Sequence, residues 1–270
     1  MCELLAMSSR LPTRLTFSLE ELAAHGAGSG RNRDGWGAAF YQDNDVALFR
    51  EPAAAGDSPL VRFLEAQGPS TTLAISHIRR ATQGEIALAN TQPFMRELAG
   101  RMHVFAHNGD LAGIKRSRTQ AFGHYRPVGS TDSEHAFCAL LERIRGLWGT
   151  ATMVPSLEDR LAVVSRFAAD LRELGPANFL YADGETLFAH GHRRIQAATG
   201  EIAPPGLFLR SCRCSQTGER LRARGVSLAP GFQEVLMIAS VPLTDDDWRP
   251  LAEGEVVAVS AGKLLDSAIP

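Results

Sequence analysis

A chain of 270 residues, 44% hydrophobic and 21% charged, can bury a sizeable core without disulfide staples. Its 28 basic and 30 acidic residues leave a net charge of -2 with histidine neutral, which excludes the basic stripe of a nucleic-acid or anionic-membrane binder. The longest apolar runs are strand-length, the first residues lack a secretory pattern, and four cysteines show no framework, so a cytoplasmic protein is expected.

The first segment, MCELLAMS, reads as an apolar strand with a cysteine at its second position. Cys2 is either a small apolar residue at a strand start or, once Met1 is removed, a terminal residue carrying a thiol and a free α-amine. SLEELAAHG holds a Ser18-x-x-Glu21 capping box and stops at Gly26, which predicts a helix. RNRDGWG (31–37) leads into a hairpin, WGAAFY and VALFRE joined at QDND, with Trp36 read as core or as a pocket residue. SPLVRFLEAQGP predicts a helix with Ser58 as N-cap, Pro59 at its first position and a Gly68-Pro69 stop.

TTLAISHIR predicts a strand on which His77 and Arg79 share the parity of Leu73 and Ile75, hence one face. A guanidinium on a buried face needs an anion, either an internal carboxylate or one on a ligand. RMHVFAHNG is a further strand, and its Asn108-Gly109 pair has two readings. It is a turn, or it is a side-chain amide beside a backbone N–H that together bind an oxyanion.

TDSEHAFCALLERI opens with Thr131-x-x-Glu134 and repeats apolar residues at Phe137, Leu140, Leu141 and Ile144, with Cys138 on the same stripe as core. Asp132 in its first turn either complements the helix dipole, by about 0.3–1 kcal/mol, or receives a ligand's ammonium. SLEDRLAVVSRFAADLRELGP predicts a second long helix ending at Gly175-Pro176. NFLYADGETLFAHG is a hairpin turning at Asp-Gly, and EVLMIASVPL and EVVAVSAGKLL are the last strands. The CRC (Cys212, Cys214) and HGH (His190, His192) pairs lack the Cys-x-x-Cys spacing of zinc sites, so no metal is expected.

Several strands are apolar on both alternating sets, which implies layers above and below them. Hairpins imply antiparallel pairing, and the helices must cover the outer faces. The expectation is one α+β domain over 1–270, with two antiparallel sheets packed together.

The candidate residues converge on one ligand. An arginine for a carboxylate and an aspartate for an ammonium describe an α-amino acid. A thiol beside oxyanion donors describes acyl transfer at its far end, so the substrate reads as glutamine or a γ-glutamyl compound.

At this point the sequence resembles the class II glutamine amidotransferases of the N-terminal-nucleophile hydrolase type, in particular their short stand-alone members. The residues that carry the resemblance are Cys2, DGWGAAFY, Arg79 in HIRRAT, NTQPF (Asn90 to Phe94), HNG, TDSE and the closing ASVPLTDDDWRPLAEGE. The resemblance implies a four-layer αββα sandwich with Cys2 at the start of a central strand. It implies Cys2 as nucleophile, its own α-amine as general base, and Asn108 with Gly109 as the oxyanion hole. Arg79 would hold the α-carboxylate and Asp132 the α-ammonium, with Thr82 and Trp36 near the pocket. Members often carry His where this chain has Gln92, which is given no role. No cofactor is implied. Ammonia or an amine would leave, to water or to a synthase or peptidase partner subunit. A catalytically silent protein that binds the same amino acid is the alternative.

Overall fold

The structure, a computed structural model, describes residues 2–14, 16–17, 34–81, 84–117, 119–149, 153–214, 222–223, 226–227, 233–245 and 247–270. The helix expected over Ser18–Gly26 lies outside the described residues. The strands that build the two large sheets, in chain order, are β1 (Glu3–Arg14), β2 (Trp36–Gln42), β3 (Asp45–Glu51), β4 (Ser70–Ile78), β5 (Phe94–Leu98), β6 (Arg101–Gly109), β7 (Ala177–Ala182) and β8 (Leu187–His190). A two-residue pair follows, β9 (Arg194–Ile195) and β10 (Ile202–Ala203), and then β11 (Phe208–Cys214), β12 (Gln233–Ala239), β13 (Arg249–Pro250), β14 (Val256–Ser260) and β15 (Lys263–Ala268). Three α-helices stand among the described residues: α1 (Pro59–Gln67), α2 (Asp132–Trp148) and α3 (Leu157–Arg172).

Each helix starts where the capping chemistry places it. Ser58, Thr131 and Ser156 accept the backbone N–H of Val61, Glu134 and Asp159 through their side-chain oxygens at 3.1, 3.2 and 3.1 Å. The Thr131-x-x-Glu134 box is only half closed. The Glu134 carboxylate turns instead to the N–H groups of Val128 and Gly129 and to Arg96, at 3.0, 2.6 and 2.6 Å.

One sheet has seven strands in the order β13-β11-β12-β1-β4-β2-β3, and the other six in the order β15-β14-β8-β7-β6-β5. All recorded pairings within them are antiparallel. Leu4, Ala6, Leu73 and Ile75 of the first sheet meet Val104, Ala106, Leu180 and Ala189 of the second in a shared inner core. The opposite face of the seven-stranded sheet packs on α1 through Leu5, Met7, Trp36, Phe40, Val61 and Leu64. The opposite face of the six-stranded sheet packs on α2 and α3 through Phe105, Phe179, Phe137, Leu140, Val164 and Ala168. The expected four layers, helix, sheet, sheet, helix, are therefore present, and the doubly apolar strands are those with a layer on each side.

Among the described strands longer than two residues, Phe94–Leu98 and Phe208–Cys214 went unannounced by the sequence. EVVAVSAGKLL, expected as one strand, is two, turning at Ala261 and Gly262 with φ of 48° and 75°. The hairpins expected at QDND and Asp183-Gly184 both form.

Candidate active site

Cys2 immediately precedes β1, the middle strand of the seven. The antiparallel register Glu3↔Ile78 sets it opposite the end of β4. The N–H of Arg80 donates to the Cys2 sulfur at 3.2 Å, across 78 positions of sequence. Burial pushes the Cys2 thiol up, while the Arg80 N–H and the nearby Arg79 charge pull it back.

The second sheet brings up the other half. Asn108 and Gly109 end β6 and pair with Asn178 and Ala177 of β7, so the Asn-Gly pair is a strand end and not a hairpin turn. Asn108 points between the sheets and donates through Nδ2 to the carbonyl of Cys2. A carboxamide nitrogen has two N–H groups, so one remains for another acceptor. Gly109 is required by close approach, because a Cβ there would lie 1.8 Å from the carbonyl oxygen of Pro176.

Cys2, Asn108 and Gly109 line one cavity of about 220 Å³, together with Arg80, Asp110, Pro176, Arg194, Ile195 and Ile202. Arg79 and Asp132 do not line it; Arg79 precedes the lining residue Arg80, and Asp132 holds Leu111, which follows the lining residue Asp110. Arg79 is buried, and its guanidinium donates to the carbonyls of Glu85 at 3.0 Å and Gly84 at 3.3 Å. The Asp132 carboxylate accepts the N–H of Leu111 at 2.8 Å and that of Ser133 at 2.8 Å. It therefore fixes the loop leaving β6 as well as the start of α2. Asn90, from NTQPF, joins these two regions by donating to Glu85 O and accepting from Ser130 N, at 3.0 and 2.8 Å.

Of the two residues expected near the pocket, Trp36 is fully buried in the outer core beneath α1. It donates its indole N–H to Glu51 at 3.0 Å and is not among the residues lining the cavity. Its indole packs in that core. Thr82 lies outside the described residues.

The HGH and CRC pairs do not meet. His190 lies on the helix-facing side of the six-stranded sheet, against the Phe179 ring at 5.2 Å. Cys212 lies on the outer face of the other sheet. Among the described residues no group of three or more His, Cys, Asp or Glu side chains is placed to hold a metal. Cys138 is core, its thiol pushed up to about 11 by burial.

Several residues that sequence reasoning passed over shape the site. Asp34, from RNRDGWG, accepts the N–H of Ala81 at 2.8 Å and so anchors the Arg79–Ala81 turn. Buried Asn178 donates to the Asn108 carbonyl at 3.0 Å and accepts the His192 N–H at 2.8 Å. The signal for it was available: Asn178 shares the parity of Leu180 and Ala182, a polar residue on an inward-facing apolar set. Arg194, behind Cys2, forms a buried ion pair with Glu3 at 2.8 Å, and nothing in HGHRRI announces that.

The family model for class II glutamine amidotransferases matches residues 1–269. YafJ of Escherichia coli (strain K12), named a putative glutamine amidotransferase, is 35% identical over 260 residues, covering 94% of this chain and 96% of that protein. A protein of Haemophilus influenzae with the same designation is 36% identical, covering 100% of this chain and 87% of its own. The crystal structure of a glutamine amidotransferase predicted in Pseudomonas aeruginosa superposes with a TM-score of 0.69 at 32% identity, over 98% of this chain and 99% of that one. The glutamine phosphoribosylpyrophosphate amidotransferase of B. subtilis, at 14% identity and a TM-score of 0.56, shares the fold over 49% of its own length. The chain belongs to the class II glutamine amidotransferases.

Proposed function

We propose that the protein hydrolyses the γ-amide of glutamine or of a γ-glutamyl compound, with Cys2 as nucleophile once Met1 has been removed. The observation that carries this reading is the shared cavity of Cys2, Asn108 and Gly109, with Arg79 and Asp132 at its margin. The freed α-amine takes the thiol proton; an α-amine titrates near 7.7–8.0, so it is available as a base close to neutral pH with little tuning, at about that value. The thiolate attacks the γ-carbonyl, and the second N–H of Asn108 and the N–H of Gly109 receive the oxyanion. The C–N bond breaks, the amine or ammonia leaves with the proton, and water then releases glutamate from the thioester.

Arg79 is the group for the α-carboxylate. Its guanidinium is buried next to the lining residue Arg80 and is held in place by the carbonyls of Glu85 and Gly84. Asp132 is the group for the α-ammonium, its carboxylate held at the start of α2 by the N–H groups of Leu111 and Ser133. The ammonia goes to water or to a partner subunit.

Intact mass spectrometry before and after a glutamine-like diazoketone tests the reading. The expected result is a chain lacking Met1 with one adduct on Cys2. A processed chain that binds glutamine but neither turns it over nor accepts the diazoketone would support a silent binder instead.

A further inference from the structure

Beside Cys2 the cavity wall changes character. Pro176 and the β9–β10 hairpin supply it, and the hairpin contributes Ile195 and Ile202, which pair directly across the two strands. These isoleucines are 43% and 56% exposed, a cross-strand apolar pair at the mouth of a cavity that holds a nucleophile. Single exposed apolar residues are ordinary, but a pair beside a reactive group is a binding feature.

The hairpin is rigid. Gln196 N–H donates to Glu201 O and Gly200 N–H to Gln196 O, each at 2.8 Å, and the Gln196 side chain donates to Ala203 O at 2.6 Å and Pro205 O at 3.2 Å. Its base is fixed as well, because Arg194 is buried, ion-paired with Glu3 and bonded to the Ser240 carbonyl. The isoleucines are therefore held in place before any ligand arrives, so their contacts carry little ordering cost.

The space exceeds what glutamine's leaving group needs. Ammonia is the size of a water molecule, which occupies about 30 Å³ of liquid volume, against the cavity's 220 Å³ or so. Arg79 and Asp132, the groups for the amino-acid head, stand outside that lining. Beyond the γ-carbonyl at Cys2, Asn108 and Gly109, the remaining lined space, towards Ile195 and Ile202, is left for whatever is attached to the γ-amide nitrogen.

We infer that the Ile195–Ile202 hairpin is a leaving-group subsite, and that the enzyme prefers γ-glutamyl amides whose amine bears an apolar group over glutamine itself. This rests on the hydrolase reading above. The same bonds change as in glutamine hydrolysis: the γ C–N bond breaks, the thioester forms, the apolar amine leaves with the thiol proton, and water completes the turnover.

The experiment compares kcat/KM on glutamine, γ-glutamyl methylamide and γ-glutamyl 3-methylbutylamide, using the processed full-length chain and its Ile202→Ser and Ile202→Met variants. The expected result is a preference of about tenfold or more for the branched amide over the methylamide. Ile202→Ser lowers kcat/KM on the branched amide by a larger factor than on glutamine, and Ile202→Met restores the preference. Equal rates on the two substituted amides, or a Ser variant that loses both substrates in proportion, overturns the subsite while leaving the hydrolase reading intact. No turnover of any of the three by the processed chain overturns both.

Discussion

Gln92 grips His107 by both of its backbone polar groups: the carboxamide oxygen accepts the His107 N–H at 2.6 Å, and the carboxamide nitrogen donates to the His107 carbonyl at 3.2 Å. Both groups are buried. The next residue is Asn108, so this two-bond clamp sets the height of the strand end that carries the proposed oxyanion donors. Gln92→Leu removes both bonds and leaves two buried backbone groups unsatisfied, at about 1–3 kcal/mol each. We expect kcat to fall by tenfold or more, since a displacement near 1 Å can cost about 10²-fold, with KM little changed. A parallel change in KM alone, read from steady-state kinetics, would contradict the positioning role.

Asn108 and Asp132 separate into different kinetic parameters. Asn108→Ala removes the proposed oxyanion donor and is expected to cost about 2.7–4 kcal/mol in barrier, read as a fall in kcat. Asp132→Asn keeps an oxygen to accept the Leu111 N–H but removes the charge, so KM rises while the melting temperature holds. Asp132→Ala loses both the charge and the Leu111 bond, and is expected to raise KM and also lower the melting temperature. If Asp132→Asn leaves KM unchanged, the ammonium assignment is wrong.

Gly109→Ala tests the close approach of β6 and the residue preceding β7. A methyl group 1.8 Å from the Pro176 carbonyl forces the two strands apart. The expected loss is about 1–3 kcal/mol in stability, the range of overpacked cores, together with loss of turnover. Denaturant titration reads the first and kinetics the second.

Stability against pH is governed in part by buried histidines. Burial lowers His77 and His190 to about 3 and His103 to about 4, so all three are neutral in the fold. In the unfolded chain each titrates near 6.5, at about the model-peptide value. Below that pH the unfolded state binds more protons, and stability present above it is lost as pH falls toward the folded values. Three such groups give a slope of up to about 4 kcal/mol per pH unit between pH 6 and 5, or about 1.4 for each. Denaturant midpoints measured from pH 7.5 to 5 check this, and His77→Leu is expected to flatten the slope by roughly one proton's share. A slope unchanged in that variant would mean that His77 is not a neutral buried group.

Local chemistry made much of this protein legible. Ser58, Thr131 and Ser156 with the residues after them specify three helix starts, because capping is settled within one turn of chain. Strands apolar on both sets announce sheets covered on both faces, and Asp43 and Gly184 announce hairpins. Cys2, Arg79, Asn108 and Asp132 suggested the chemistry, and their order together with DGWGAAFY, NTQPF and the closing ASVPLTDDDWRPLAEGE suggested the family. Tertiary structure alone decided between readings that local sequence leaves equal. Trp36 went to the outer core, Asn108-Gly109 became a strand end, Gln92 and Asn178 took up positions behind the site, and Arg194 joined its wall. The physical reason is separation along the chain. Cys2 meets Arg80 across 78 positions, Asn108 across 106, and Arg194 reaches Glu3 across 191. Such contacts depend on the register and facing of two sheets, which no local periodicity encodes.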